Sequence, residues 1–451
     1  MSIISLSDLL AGARPDTQCI ALKNQRPVTL TRLRADISHN AERLSARSIR
    51  RGGVVCEDGY WFLVGMLALV QIGADVMLPP NSQPGTLRGL EQDFDGLLTD
   101  SGAGEVASRF ILESSESEAG PIRFEVANSR IDFFTSGSTG EMKRVAKSLT
   151  LFEREACVLE QMWGENLREV PVYGTVTHQH VFGMTFRIMW PLLAGRPYRS
   201  EFHVAWEPLM ALLDGPAMIV SSPAQLTRLA GLAPVAPANR PRMVITGGAP
   251  LPADAAIEAS EIFGCLPTEI FGSTEVGVVA WRRGATQPVL WQPFPTVEVA
   301  AGADGILILR SPHASNDGWC EQSDRISLEP DGRFRLEGRT DRVVKIEGKR
   351  VSLQRLELEI AALAWVEEAA VVRLGDRRAY LGTVVKLSAA GRIEIDRLGK
   401  FRFERMLRRE LSATEDLSVL PRRWRFVDSM PLDGLGKRRV RDVVALLEQP
   451  A

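Results

Sequence analysis

The sequence has little with which to build a disulfide framework or a metal centre. Its five cysteines (Cys19, Cys56, Cys157, Cys265 and Cys320) are scattered along 451 residues, with no CxxC pair. That spacing argues against a zinc site and for a reducing compartment. Long apolar runs are also missing. The longest, "WFLVGMLALVQIG" from Trp61 to Gly73, is too short to span a bilayer and reads as a buried helix. Charge of one sign is not in excess, because the chain carries a net −2, so nothing global points to a nucleic-acid binder. The opening "MSIISLSDLLAGARPD" puts no basic residues ahead of its apolar ones, which predicts no secretory leader. There are no repeats or low-complexity tracts. A cytoplasmic enzyme or binding protein is the expectation.

What is present is ordinary globular composition, 45% apolar and 24% charged, at a length that predicts more than one domain. Segments 32–45 and 60–72 read as helices, whereas "GVVCED" and "DGLLTD" read as short buried strands. Alternation of this kind predicts an α/β architecture. "AMIVSS", "RMVITGG" and "TEIFGSTE" continue it, each an apolar strand running into Ser or Gly. In open α/β sheets such carboxyl ends are where ligands gather. After about Val297 the pattern alternates apolar and polar, with turns at Asp304-Gly305 and Asp331-Gly332, which predicts β-hairpins. The last 110 or so residues carry 23 Lys/Arg against 16 Asp/Glu, a net of +7, which leaves −9 for the residues before Arg342. That shift predicts a domain boundary near 340–342, with one domain at 1–340 and a second at 341–451.

The densest local signal is "FFTSGSTGEMKRVAKS", Phe133 to Ser148. Six consecutive residues, Thr135 to Gly140, are Thr, Ser or Gly. A Ser/Gly-rich turn is the plain alternative. A Walker loop is excluded, since "SGSTGEMK" lacks the Gly-Lys-Ser/Thr ending, and the absence of GxSxG removes an esterase elbow. The chemistry nonetheless suits an anion. Gly137 and Gly140 let backbone N–H groups turn inward, Ser136, Ser138 and Thr139 add hydroxyl donors, and Lys143 adds a compact positive charge.

"TSGSTGEMK" resembles the nucleotide-phosphate loop of the adenylate-forming (AMP-binding) superfamily: acyl- and aryl-CoA synthetases, carrier-protein ligases, peptide-synthetase adenylation domains and luciferases. Four further matches follow in the family's order, and "GADVMLPPNSQP" (73–84) resembles a weaker early signature; together they cover about residues 28 to 440. "HQHVFG" resembles the family's His-x-x-Gly element beside the acyl pocket, with His180 as its histidine. "GGAPLP" and "FGSTE" resemble the two walls of the adenine site. The resemblance implies that Gly247, Gly248 and Ala249 line one face and Phe271 and Gly272 the other. It also implies that Thr274 donates to the α-phosphate and that Glu275, a hard oxygen ligand, holds Mg²⁺. Within "QSDRISLEPDGRFRLEGRTDR", Asp324 matches the ribose carboxylate, Arg339 the arginine beside it and Asp341 the hinge. "KIEGKRV" resembles the hairpin lining the thiol tunnel, where Gly348 lets a pantetheine arm pass. In "PLDGLGKRR", Lys437 matches the lysine that reaches the carboxylate and the α-phosphate.

The departures are Met142 where the family usually has Pro, Phe271 for Tyr, Asp433 for Thr, and Gln354-Arg355 for Gly-Glu, with Glu357 kept in place. None removes a group that the chemistry needs. The fold implied is a large N-terminal domain of stacked α/β sheets with a small β-barrel-like part, followed by a small mobile α+β domain. The activity implied is ATP-dependent adenylation of an aryl or fatty acid to acyl-AMP, then transfer to the thiol of coenzyme A or carrier-protein phosphopantetheine. ATP and Mg²⁺ are the implied cofactors. The basic C-terminal segment suits an acidic carrier protein or polyanionic coenzyme A, and the reading leans towards the carrier. Two alternatives stay open: transfer to an amine, and a paralogue that binds nucleotide or acyl ligand without turnover.

Overall fold

The computed structural model describes residues 3–449 except 102–107, 137–141, 285–289, 317, 340–341, 347–348, 376–378, 413–416, 418 and 433–437. Among the described residues the strands form five sheets. A six-stranded sheet runs, in spatial order, Arg109–Ile111, Gly96–Thr99, Arg51–Val54, Asp75–Leu78, Ile131–Ser136 and Met142–Lys147. Its pairings are parallel except the last, an antiparallel pair joined through the Ser/Gly-rich segment. A nine-stranded sheet carries Val172–Gly174, Met218–Ser221, Met243–Gly247 and Thr268–Ser273 as parallel neighbours. Gly277–Arg282 then returns antiparallel beside Thr268–Ser273.

Helices Leu30–Ser45, Gly59–Gln71 and Leu149–Leu167 contribute with both sheets to one hydrophobic core. The helix read from the apolar run is buried along nearly its whole length, as its lack of a polar face requires. Asp58 caps it, accepting from the N–H groups of Tyr60 and Trp61. The strand expected in "GVVCED" is shorter than its sequence and ends at Val54. The Val55 N–H still reaches the Leu98 carbonyl at 2.9 Å, and beyond it the Asp100 carboxylate takes the N–H groups of Glu57 and Asp58. Those donors are then lost to any ladder.

Both Asp-Gly turns close antiparallel hairpins. Glu298–Ala301, Ile306–Arg310, Cys320–Leu328 and Phe334–Arg339 form a four-stranded antiparallel sheet, the β-rich part of the N-terminal region. A bridge between Trp291 and Phe334 ties it to the segment entering the nine-stranded sheet. Beyond Arg339 the core changes. Hydrophobic clusters built from residues up to Phe334 give way to two built entirely from residues 346 to 447. These pack helices against Val366–Leu374, Tyr380–Leu387 and Arg423–Val427, an α+β arrangement. The hairpin expected in "KIEGKRV" pairs Val343–Ile346 with Lys349–Ser352. No helix among the described residues is long and apolar enough to cross a membrane, and the five cysteines are free thiols.

Candidate functional site

The Ser/Gly-rich segment leaves one strand at Ser136 and returns on another beginning at Met142, so its two ends are paired side by side (Thr135 with Lys143, Ser136 with Met142). Gly137, Ser138, Thr139 and Gly140 lie outside the described residues, as do Asp341, Gly348, Asp433 and Lys437. Lys143, one residue into the return strand, donates from Nζ to Oε1 of Glu275 at 2.8 Å. This contact joins the six-stranded sheet to the turn that follows Thr268–Ser273 in the nine-stranded sheet, across 132 residues of sequence. Both side chains stay substantially exposed, 60% and 40%, so the pair faces solvent.

Burial pushes the Glu275 carboxyl up, but hydrogen bonds from Lys143, from its own backbone N–H and from Ser273 outweigh that and hold it below the usual carboxylate range. Glu275 is therefore an anionic oxygen donor at neutral pH. Among the described residues no three His, Cys, Asp or Glu side chains cluster as a metal site. One carboxylate is what a Mg²⁺ site of the substrate-phosphate kind requires, since phosphate oxygens and water supply the remaining ligands. Glu275 fits that role.

The "FGSTE" turn is shaped by its neighbours. The ladder slips by one residue between Phe271 and Gly272, a bulge that re-aims the chain before Ser273. Phe271 is half-buried, its ring 5.6 Å from that of Trp291 and 6.1 Å from that of Phe334. The aromatic expected beside adenine thus also joins the nine-stranded to the four-stranded sheet. Thr274 is half-buried next to Glu275. Gly247 ends the neighbouring strand, and Gly248 and Ala249 follow it exposed. A Cβ on Gly247 would stand 2.8 Å from the Phe182 ring and 3.0 Å from the Ile270 carbonyl, so this close approach demands glycine.

Phe182 lies two residues beyond His180, which is half-buried at the N-terminus of a short helix that runs into a π-helical turn, Met184–Met189. The other histidine of "HQH", His178, is fully buried with Nε2 2.9 Å from the Cys56 carbonyl. Burial is the chief cause that lowers its pKa to about 3, and it stays neutral. On the four-stranded sheet Asp324 and Arg339 are direct cross-strand partners, with Arg339 Nη1 3.7 Å from Asp324 Oδ2. The carboxylate is the more sheltered of the two.

Sequence reading passed over the groups behind this surface. Lys147 stands four residues after Lys143 on the same strand and is 2% exposed, its Nζ donating to the His313 carbonyl at 3.0 Å. Glu155, also buried, accepts at Oε2 from Thr185 Oγ1 (3.0 Å) and at Oε1 from the Val278 N–H (3.0 Å). A signal was available for both. Lys147 falls in the period-2 register of Val145, a buried position. Glu155 falls among Phe152, Ala156 and Leu159 on the apolar stripe of its helix.

Residues 130–309 match the family model of the AMP-binding enzymes. The chain is 28% identical over 313 residues to 4-coumarate–CoA ligase of Rhodobacter capsulatus, covering 68% of this chain and 74% of that protein. It is 25% identical over 161 residues to L-proline–[L-prolyl-carrier protein] ligase of Pseudomonas fluorescens, covering 30% and 32%. The ATP-bound crystal structure of MatB from Rhodopseudomonas palustris superposes with a TM-score of 0.78 over 97% of this chain and 98% of that one. At 19% identity, that likeness speaks for the fold alone. The ordered motifs and these matches agree in likening the chain to the AMP-binding, adenylate-forming enzymes, whose family pattern residues 130–309 carry.

Proposed function

We propose that the protein activates a small carboxylic acid, aryl or fatty, with ATP and passes the acyl group to the phosphopantetheine thiol of coenzyme A or a carrier protein. The observation that carries this reading is the Lys143–Glu275 contact, which puts the end of the phosphate-loop strand against an acidic turn. A carboxylate alone is a poor acyl donor because its leaving group would be oxide. ATP, bound with Mg²⁺, supplies an electrophilic α-phosphorus and, after pyrophosphate departs, AMP as a good leaving group.

The residues of this chain then have positioning and electrostatic work, the dominant contributions to such transfers. The backbone of 135–140 and the Lys143 ammonium bind phosphate oxygens. Glu275 would hold Mg²⁺, and the Lys143 ammonium, paired with Glu275 in this structure, would turn towards phosphate. Thr274 donates to the α-phosphate, Phe271 with Gly247, Gly248 and Ala249 flanks the base, and Asp324 accepts from the ribose hydroxyls beside Arg339. His180 borders the acyl pocket. Lys437 neutralises the two reacting anions, and Asp341 is the hinge on which residues 341–451 turn to bring Gly348 to the thiol path.

The acceptor reading rests on charge. A groove of about 360 Å³ in the basic C-terminal region is lined by Lys400, Phe401, Arg422, Arg423 and Arg425 among others, suited to an anionic partner. The test is pyrophosphate release across a panel of aryl and fatty acids, with coenzyme A and a carrier protein compared as acceptors. Release that depends on the acid and a thioester on either acceptor support the reading. Amide formation with no thioester would replace it with transfer to an amine, and silence across the panel would refute it.

A further inference from the structure

The turn that carries Glu275 is held from behind by groups of which only Ser273 also touches the Glu275 carboxylate. Ser311 Oγ donates to the Val276 carbonyl at 3.1 Å, and Ser273 Oγ accepts from the Val276 N–H at 3.4 Å. The deepest hold is Glu155. Its Oε1 takes the Val278 N–H while Oε2 takes the Thr185 hydroxyl, so the carboxyl links helix Leu149–Leu167, the π-helical turn and the strand after Glu275. Gly277 adapts the turn to it. The φ of Gly277 is +73°, and a Cβ there would stand 1.9 Å from Glu155 Oε1. Any side chain at 277 would therefore expel the carboxyl, whatever the backbone strain. Lys147 lies on the other side of the same block. Its ammonium is fixed on the His313 carbonyl, and it is the positive charge that offsets burial of Glu155. His313 closes the block through Thr296, its Nε2 3.3 Å from Thr296 Oγ1.

A buried carboxyl is costly unless its oxygens are satisfied. An apolar residue at 155 would match the Phe152, Ala156 and Leu159 stripe of the helix. Both oxygens of Glu155 are instead spent on the segment that positions Glu275 and on the turn after His180. We propose that Glu155 is a positioning residue: it fixes the 274–278 turn and thereby sets where the Glu275 carboxylate stands relative to Lys143 and the phosphate-binding strand end. The inference rests on the Mg²⁺·ATP reading of Glu275. A displacement of the order of 1 Å in such a group can cost about 100-fold in rate.

The test compares Glu155→Leu, Glu155→Gln and Thr185→Val in the full chain. Three readouts are needed: calorimetric binding of α,β-methylene-ATP with Mg²⁺, the separate KM values for Mg²⁺·ATP and for the acid, and hydrogen exchange of the Val278 amide. Glu155→Leu should speed Val278 exchange and weaken Mg²⁺·analogue binding by ~10-fold or more, with the acid KM within ~3-fold of wild type. Glu155→Gln keeps an acceptor for Val278 and should restore most of the nucleotide affinity. Thr185→Val, which leaves the Val278 bond intact, serves where Glu155→Leu does not fold, and should give a smaller loss with the same bias towards nucleotide. Equal losses for nucleotide and acid, or unchanged Val278 protection in Glu155→Leu, would overturn the proposal. Failure of the wild-type protein to bind the Mg²⁺·analogue would instead overturn the ATP reading itself.

Discussion

Lys143 and Lys147 stand four residues apart on one strand and face the same way, yet they live in opposite environments. Lys143 reaches out to Glu275 with 60% of its side chain in water. Lys147 is buried, and desolvation lowers its pKa from the ordinary lysine value. The carboxylates divide in the same way. Glu275 is held below its usual range on the solvent side, whereas burial raises that of Glu155. In the proposed function the outer pair would exchange partners for phosphate and metal at little cost, because a solvent-exposed ion pair is worth only about 0–1 kcal/mol. The inner groups cannot exchange partners without leaving buried donors and acceptors unmet. One strand thus carries a replaceable charge at its open end and a fixed one at its buried end. That division suits a site that must bind, react and release.

The largest effect expected from breaking the outer half is on catalysis. Glu275→Ala should lower acid-dependent pyrophosphate release by ~100-fold or more while the melting temperature stays near wild type; a change below ~3-fold would remove Glu275 from the metal role. Breaking the inner half should show first in stability. Lys147→Met leaves the His313 carbonyl without its donor and Glu155 without its nearby positive charge. Denaturant unfolding should register a loss of about 1–3 kcal/mol. An unchanged midpoint would mean that the inner groups are not a coupled block.

Acid should expose the same asymmetry. Burial, foremost among the causes, lowers His313 to about 4 and His178 to about 3. The unfolded chain binds protons near pH 6.5, which the folded chain refuses until pH about 4 or below. Stability contributed by the neutral imidazoles is therefore complete above pH 6.5 and declines as pH falls to about 4 and then about 3. His178→Phe, which leaves a ring beside Phe62 and Phe202, should flatten that decline; a profile as steep as wild type would contradict the assignment. The smallest effect on stability belongs to Lys143→Ala, within about 1 kcal/mol of wild type. Its KM for ATP should nonetheless rise several-fold, and an unchanged KM would show that Lys143 does not reach phosphate.

The two halves also differ in how legible they were. The fold class, the strand ends running into Ser or Gly, the hairpins at both Asp-Gly turns and the buried helix at 59–71 follow from local pattern, and each lies within a short stretch of sequence. The resemblance to the AMP-binding enzymes was readable because the motifs keep the family's order. That Lys143 touches Glu275 was not readable from either residue, since the contact depends on how two sheets stack. The inner block was less visible still. Glu155 meets Val278 across 123 residues, and a lone Glu on an apolar stripe gives no hint of which backbone N–H it will take. The turn beyond the strand that ends at Val54 has the same kind of origin, a capture of the Glu57 and Asp58 N–H groups by Asp100 from 43 and 42 residues away. Local chemistry is written in neighbours, and positioning is written in contacts that only the folded chain brings about.

Acid-dependent exchange of labelled pyrophosphate into ATP by the purified chain tests the central claim most directly, because it needs no acceptor and reads only the first half-reaction. Exchange that appears with at least one aryl or fatty acid, requires Mg²⁺ and vanishes without the acid is the result expected. No exchange with any acid of a broad panel, from a chain that is folded and supplied with Mg²⁺, would contradict it.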